Sequence, residues 1–523
     1  MFCIWVNPTL PQHPTDFALL KAMIGTSLAE WIFIRCSIIV LRYNPLIYIA
    51  LLLALFVQYG SSAKYFILSQ ILLALLVAEA LFFLCIYLPR TRKLKKKAQH
   101  PPQMSYEQRQ DLFRRCLGSL QDTEAYVRGW FLGADMTDVW RENLRDFFLW
   151  GFFELRSEEM DFESESAQAV VQETDAYIDA VQSQLGYKLQ SGRGPATSFR
   201  LTFDPIHTTY RGLAWYSIVL IVDQLTHLLM WWHGFTFYAR EKRQAATIFP
   251  PRPQELFGSR QSPAPGLGYW YKPHEDSSQA PVVFFHGIGI GLLTYINFIA
   301  DLYKATKSNG GKGVGIIAVE LLPISFRLMD PPDGKDVFLQ QIKTIVNYHE
   351  WDQFTIAAHS YGSVLTSFIV RDDELKKRLK SILLVDPVTI MLHLPDVASN
   401  FTRRLPQRAN EWQLWYFAST DPGVAYCLGR HFFWREKIMW TDELLRIGNS
   451  DGRKVSVSLA GKDIIVDGDA VKQYLQSTLD ESEGHSGVKV IWYPKLDHAQ
   501  VFDNRSDYQD LIDQLLQDQR AEE

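Results

Sequence analysis

Phe66 to Leu88 is 23 residues of almost unbroken apolar chain, and no other stretch limits the fold of this polypeptide so strongly. Only Ser69, Gln70 and Glu79 are strongly polar within it. About 20 apolar residues suffice to cross the hydrocarbon core of a bilayer, and a helix satisfies every backbone N–H and C=O there. Pro89 follows, then R-T-R-K-L-K-K-K at 90–97, six basic residues in eight. Basic flanks stay on the cytosolic side of a span, so this end is expected in the cytosol. Pro45 to Tyr59 is a second, shorter apolar segment, with Arg35 and Arg42 upstream and a nearly neutral loop, Gly60 to Tyr65, leading to the first. The pattern predicts a transmembrane hairpin, about 45–59 and 66–88, with both ends cytosolic. A single span at 66–88 preceded by interfacial helices is the alternative. A mid-span carboxylate is costly and calls for a partner; for Glu79, Arg35, Lys64 and Gln70 are the candidates, and a neutral Glu79 facing another helix is the simplest arrangement. The first residues lack the basic region and short apolar core of a secretory signal, so none is expected.

Beyond this anchoring region, residues 1–100, the composition changes. Residues 101–248 read as a helical region, partly packed on the membrane or on the next domain. Its aromatics Trp140, Phe147, Phe148, Trp150, Phe152 and Phe153 are too many for a solvated face and are expected to pack. Trp215 to Phe237 is a third apolar stretch, but Asp223, Gln224 and His227 argue against a full span. It is expected on the bilayer, in a pocket wall or in the core. Residues 249–265, rich in proline, read as a linker. From 266 to 523 strands alternate with helices.

In F-T-I-A-A-H-S-Y-G-S, Phe354 to Ser363, a short apolar strand pattern runs straight into Ser360 and then into a helical pattern. A serine on so sharp a turn sits in strained backbone, at a cost of roughly 1–3 kcal/mol. Such a turn admits only small residues two positions to either side, here Ala358 and Gly362. Upstream, Ala280 to Gly291 is a strand running into His286-Gly287-Ile288-Gly289; no G-K-[ST] follows, which disfavours a phosphate loop. Downstream, the strand pattern Lys454 to Ala460 ends in Gly461-Lys462-Asp463, and Val488 to Tyr493 leads to Asp497-His498. Ser360, Asp463 and His498 each stand just past the carboxyl end of a strand, where open α/β sheets place their chemistry.

The small-x-Ser-x-Gly turn, the H-G-x-G loop and the chain order Ser360, Asp463, His498 resemble the α/β-hydrolase superfamily, over roughly the last half of the chain. Ala358 departs from the usual glycine. The resemblance implies an α/β fold, a mostly parallel doubly wound sheet with a helical cap, here about 388–453, preceded by the α-helical membrane-anchoring region. It makes Ser360 the nucleophile, His498 its general base and Asp463 the acid that orients the imidazole. The N–H groups of Tyr361 and Ile288 would form the oxyanion hole, with Gly287 the neighbouring candidate. Asp386, at the end of L-L-V-D, is the alternative acid, since some members take theirs from that strand; Asp467, Asp469 and Asp497 are nearby rivals. His359 is expected to be buried packing, and Tyr361 to line the pocket. Serine at the turn argues against epoxide hydrolase and dehalogenase chemistry and leaves acyl transfer. The whole layout resembles uncharacterised membrane-anchored α/β-hydrolases of fungi.

The implied activity is that of a membrane-anchored serine hydrolase cleaving hydrophobic, lipid-like carboxylic esters through an acyl-enzyme. A membrane acyltransferase with the same triad, or a non-catalytic scaffold, are the alternatives. The cap holds Trp412, Trp415, Tyr416, Phe417, Phe432, Phe433, Trp434 and Trp440, expected to form a pocket wall or a membrane-touching lid. A net charge of −5 gives no case for nucleic acid. Cysteines at 3, 36, 85, 116 and 427 show no paired spacing and no H-E-x-x-H occurs, so neither metal nor other cofactor is expected. The partners implied are a hydrophobic ester or lipid substrate and a membrane, the endoplasmic reticulum being one compatible location.

Overall fold

The computed structural model describes residues 25–276, 279–307, 313–449, 453–480 and 487–520; residues 1–24 of the anchoring region lie outside them. Its centre is a single eight-stranded sheet. Short apolar runs such as V-V-F-F (β3, Val282–Phe285) and I-I-A-V (β4, Ile316–Val319) are buried along their whole length. Continuous rather than alternating apolar character is what a parallel strand covered on both faces requires. The other strands are β1 (Thr236–Tyr238), β2 (Tyr269–Lys272), β5 (Phe354–His359), β6 (Leu379–Val385), β7 (Lys454–Ala460) and β8 (Val488–Tyr493). The order across the sheet is β1-β2-β4-β3-β5-β6-β7-β8. The pairings β1–β2 and β2–β4 are antiparallel and all others are parallel. The carboxyl ends of β3 to β8 therefore share one edge of the sheet.

Strand β1 precedes the proline-rich segment, so the sheet draws on residues from both sides of 249–265. That segment is not a free tether. Arg252 and Glu255 within it are fully buried, and Phe249 exchanges backbone hydrogen bonds with Leu328. Its prolines punctuate a folded path, because ion pairs and backbone bonds tie the intervening residues down.

The first apolar helix is longer than the sequence suggested: it runs Leu28–Tyr59, 32 residues, rather than starting at Pro45. Ser27 begins it with a capping box, its Oγ accepting from Glu30 N and its own N–H donating to the Glu30 carboxylate. Pro45 bends the helix without ending it, and Tyr43 leaves helical geometry at φ −110°. Arg35 is thus inside the helix, its guanidinium 3.7 Å from the centre of the Trp412 ring in the cap. A turn at Gly60–Tyr65 leads to the second helix, Ile67–Phe82, continued by a π-turn at Phe83–Tyr87. The two helices pack together and expose Leu46, Leu53, Val57, Ile67, Leu73 and Leu84. Among the described residues three helical stretches suffice, by length and composition, to cross a membrane: Leu28–Tyr65, Ile67–Lys95 and Leu213–Trp232.

Both ends of the hairpin meet the body of the protein. At one end Trp31 Nε1 donates to Gln407 O at 3.0 Å. At the other, Arg90 donates to the carbonyls of Leu328 (2.6 Å) and Thr247, and Lys93 to that of Met329. Glu79 finds partners other than those suggested by sequence. It accepts from the Tyr210 hydroxyl and from Leu213 N at 3.0 Å, at the amino end of the Leu213–Trp232 helix, where backbone N–H groups await an acceptor. Arg35 is taken by Trp412, and Gln70 donates to Lys64 O instead.

The Leu213–Trp232 helix turns its polar residues inward. Asp223 meets Arg252 at 3.1 Å and Arg327 at 2.8 Å; Arg252 also meets Glu255 at 2.9 Å and Glu320, just past β4, at 2.7 Å. Arg240 closes the cluster on Glu255 at 2.7 Å. Three guanidiniums and three carboxylates balance inside the protein, while Ile221, Leu225, Leu228, Trp231 and Trp232 stay exposed on the opposite face. Removing one member strands the others' charges. Arg252→Leu is expected to destabilise the protein by about 3–5 kcal/mol, read as a lowered midpoint of thermal unfolding in detergent; an unchanged midpoint would show that the cluster contributes nothing to stability.

Candidate active site

Ser360 occupies the turn between β5 and the helix Gly362–Ile369, at φ +51°, the left-handed region that side chains avoid. The turn is held from below, since Ser360 N donates to Val385 O of β6 at 2.9 Å. It is also pressed against β3: a Cβ on Gly362 would lie 2.5 Å from Phe285 O. Two positions beyond Phe285, in the loop after β3, a Cβ on Gly287 would lie 2.9 Å from Ser360 Cβ and 2.6 Å from His359 Nδ1. Glycine is therefore required at both places by crowding. Ala358, paired with Phe285 and Leu384 in mid-sheet, has room for its methyl.

The three residues singled out from the ends of β5, β7 and β8 come together. Ser360 Oγ lies 2.9 Å from His498 Nε2, and His498 Nδ1 lies 2.7 Å from Asp463 Oδ2. With Nδ1–H donating to the carboxylate, Nε2 is left as acceptor for the serine hydroxyl. Asp463 is itself fixed by the N–H groups of Ile465 (2.7 Å) and Val466 (2.9 Å) on its other oxygen. All three side chains are nearly closed to solvent.

Asp386, the alternative acid, does not touch the imidazole. Its Oδ1 accepts from Ala460 N at 3.0 Å and its Oδ2 from Ala499 N at 2.9 Å. It thus braces the two loops that carry Asp463 and His498. Asp497 braces the same pair, accepting from His498 N (2.7 Å) and Ile464 N (2.9 Å) and from the Asn410 amide (2.7 Å). Asp467 accepts from Ala470 N at the start of the next helix, and Asp469 is exposed.

The loop after β3 is organised by a contact that no sequence motif announces. Gly287 N donates to the Tyr295 hydroxyl at 3.2 Å, and that hydroxyl lies 2.8 Å from His359 Nδ1. Gly287 is thereby occupied, while Ile288 and Tyr361, which both line the cavity beside Ser360, meet no acceptor with their N–H groups among the described residues. His286 is also structural: its Nε2 accepts from Leu321 N at 2.9 Å and ties the loop to the end of β4. Burial pushes the His286 imidazole down to about 4 and holds that of His359 well below the usual range, so both are neutral.

His498 behaves oppositely. Burial disfavours its cation, but the adjacent Asp463 carboxylate, reinforced by Asp386 and Asp497, outweighs this and raises it to about 9. Asp386, buried and near Asp463, is pushed up to about 7. Among the described residues His359, Asp386 and His498 are the one group whose ligand atoms come within 4.8 Å of one another. Both nitrogens of His498 and both oxygens of Asp386 already carry hydrogen bonds, so a cation there would have to displace the relay.

The cavity beside Ser360 is lined mostly by apolar side chains from two regions. Phe432, Phe433 and Trp434 of the cap reach it; Trp412, Trp415, Tyr416, Phe417 and Trp440 do not line it, and Tyr416 and Phe417 instead pack in the core near Trp215 and Arg211. Trp130, Trp150 and Gly151 of the helical region line it too, and Phe147, Phe148, Phe152 and Phe153 pack behind them as expected.

Compared by sequence, the chain matches no protein-family model and no curated protein. By structure it is similar to a carboxylesterase of the thaumarchaeon Nitrososphaera gargenis, at 16% identity and a TM-score of 0.33, over 48% of this chain and 94% of that one. It is similar also to naproxen esterase from Bacillus subtilis, at 12% identity and a TM-score of 0.32, over 48% and 88%. A bacterial membrane phospholipase A matches at 12% identity and a TM-score of 0.35, over 58% and 94%. Likenesses this distant say nothing of substrate.

A raised imidazole must lose its proton before it can accept one from Ser360. Modification of Ser360 by a fluorophosphonate is therefore expected to accelerate with pH well above 6.5, towards a midpoint near 9. Asp386→Asn, which removes one of the charges sustaining the imidazolium, is expected to move that midpoint down. A midpoint at or below 6.5 in the unmodified protein would contradict the electrostatics described.

Proposed function

We propose that this protein is a membrane-anchored serine hydrolase of the α/β-hydrolase superfamily that cleaves apolar carboxylic esters through an acyl-enzyme. The observation that carries the reading is the unbroken relay of Ser360, His498 and Asp463, at 2.9 and 2.7 Å, opening on an apolar cavity. A serine hydroxyl becomes a useful nucleophile only when a neighbouring base takes its proton. His498 Nε2 takes it as Ser360 Oγ bonds to the carbonyl carbon, and Asp463 stabilises the imidazolium that results. The N–H groups of Ile288 and Tyr361 bind the developing oxyanion. His498 then returns the proton to the leaving alcohol, and water repeats the cycle on the acyl-enzyme.

A scaffold that had abandoned chemistry would have no use for a serine held at φ +51° or for two glycines crowded against it. The membrane placement is part of the same proposal. The exposed apolar side chains of the hairpin need lipid cover, and both ends of the hairpin reach the body of the protein, which puts that body on the side of the basic run 90–97. By the distribution of charge this side is cytosolic.

Labelling with a fluorophosphonate in detergent-solubilised membranes tests the reading. The intact chain is expected to label and Ser360→Ala not to. Asp463→Asn is expected to lower kcat on a soluble ester by about 10⁴-fold, as loss of the orienting acid does elsewhere, while Asp386→Asn, which leaves the relay in place, stays within tenfold. No labelling of well-folded protein would reject the assignment.

A further inference from the structure

Gly151 has no conformational or packing reason to be a glycine. It sits in the π-turn Leu149–Phe153, buried, in the wall of the cavity beside Ser360. Its φ lies outside the left-handed region, and a Cβ built on it meets nothing within 4 Å. The contrast is with Gly287 and Gly362, where the same atom would collide with the chain. Glycine in a helical stretch costs about 1 kcal/mol relative to alanine, and π-turns inside helices often mark functional positions. What the missing side chain provides is space.

The surroundings fix what the space is for. Trp150 Nε1 donates to Thr202 Oγ1 at 3.0 Å and Trp130 Nε1 to His393 O at 3.1 Å, so the polar edge of each ring is satisfied within the protein. Glu154, also in the wall, is neutralised by Arg435 at 2.7 Å. The cap locks the turn in place, Trp434 Nε1 donating to Gly151 O at 3.1 Å and Arg435 to Phe152 O at 2.8 Å. Among the described residues no unpaired charge faces the cavity, whereas each buried methylene of a ligand would strengthen binding about fourfold.

We propose that this cavity receives the straight alkyl chain of the acyl group and that Gly151, from the helical region rather than from the α/β domain, sets the chain length accepted. The inference rests on Ser360 being the acylated nucleophile and adds the specificity of that site.

The test uses the full chain in detergent and two 4-nitrophenyl alkylphosphonate esters, one with a butyl and one with a dodecyl chain on phosphorus. Ser360 Oγ bonds to phosphorus, 4-nitrophenolate departs with the electron pair of the broken P–O bond, and the serine proton passes to His498. In the unmodified protein the dodecyl ester is expected to react faster. Gly151→Leu is expected to lower the dodecyl-to-butyl rate ratio at least tenfold, with Gly151→Ala between. An unchanged dodecyl-to-butyl ratio in both variants overturns the role of Gly151 and leaves Ser360 standing. So does loss of both rates in Gly151→Leu with an unchanged ratio in Gly151→Ala. Failure of both esters on unmodified protein removes the nucleophile itself, and this inference with it.

Discussion

The chemistry of the site depends on how closely two pieces of backbone approach. The end of β3 and the turn after β5 lie so near each other that Gly362 cannot carry a Cβ without meeting Phe285 O, nor Gly287 without meeting His359 and Ser360. Because they are that close, Ile288 and Tyr361, whose N–H groups meet no acceptor among the described residues, line one cavity beside Ser360. Ser360 adopts left-handed backbone at this same point of close approach. The strain is sustained by the neighbours of the turn: Val385 beneath it, and Tyr295 bridging Gly287 to His359.

Around this turn the acidic residues divide the labour by geometry rather than by type. Asp463 alone reaches the imidazole; Asp386 and Asp497 spend their oxygens on backbone N–H groups of the loops that bear the relay. All three nonetheless act on His498 through their charge, since burial weakens screening. A position can therefore be structural by its contacts and still tune the proton affinity of the base.

How much of this could be read from the chain depends on the range of the interaction responsible. Ser360, Asp463 and His498 were legible because each follows a strand, and strands in a mostly parallel sheet end on one edge. The choice of Asp463 over Asp386 rested on chain order, and only the sheet geometry brings the former to the imidazole. Tyr295 was invisible, being an ordinary tyrosine whose importance lies in a partner 64 positions away. Glu79 was legible as a residue in need of a partner, but the partner proved to be a helix start more than a hundred residues on. The prolines of 249–265 misled because a proline marks a change of direction, and nothing local says whether the chain around it is packed. Arg252 and Glu255 were the residues that packed it, through charges on three other elements.

The three sections that composition separates so sharply are not separable parts. The hairpin is stacked on the cap through Arg35 and Trp412, the helical region supplies a wall to the cavity beside Ser360, and a strand from before the prolines edges the sheet. Cutting the chain at residue 249 or 266 to obtain a soluble fragment would remove that strand and open one side of the cavity to water, and the cut at 266 would also leave Glu320 without Arg252. In lineages descended from such an arrangement, the hairpin could not be traded for another or lost without its contacts on the cap and on the Leu213–Trp232 helix changing with it. The apolar hairpin here is built into the packing of the rest of the chain and not appended to it.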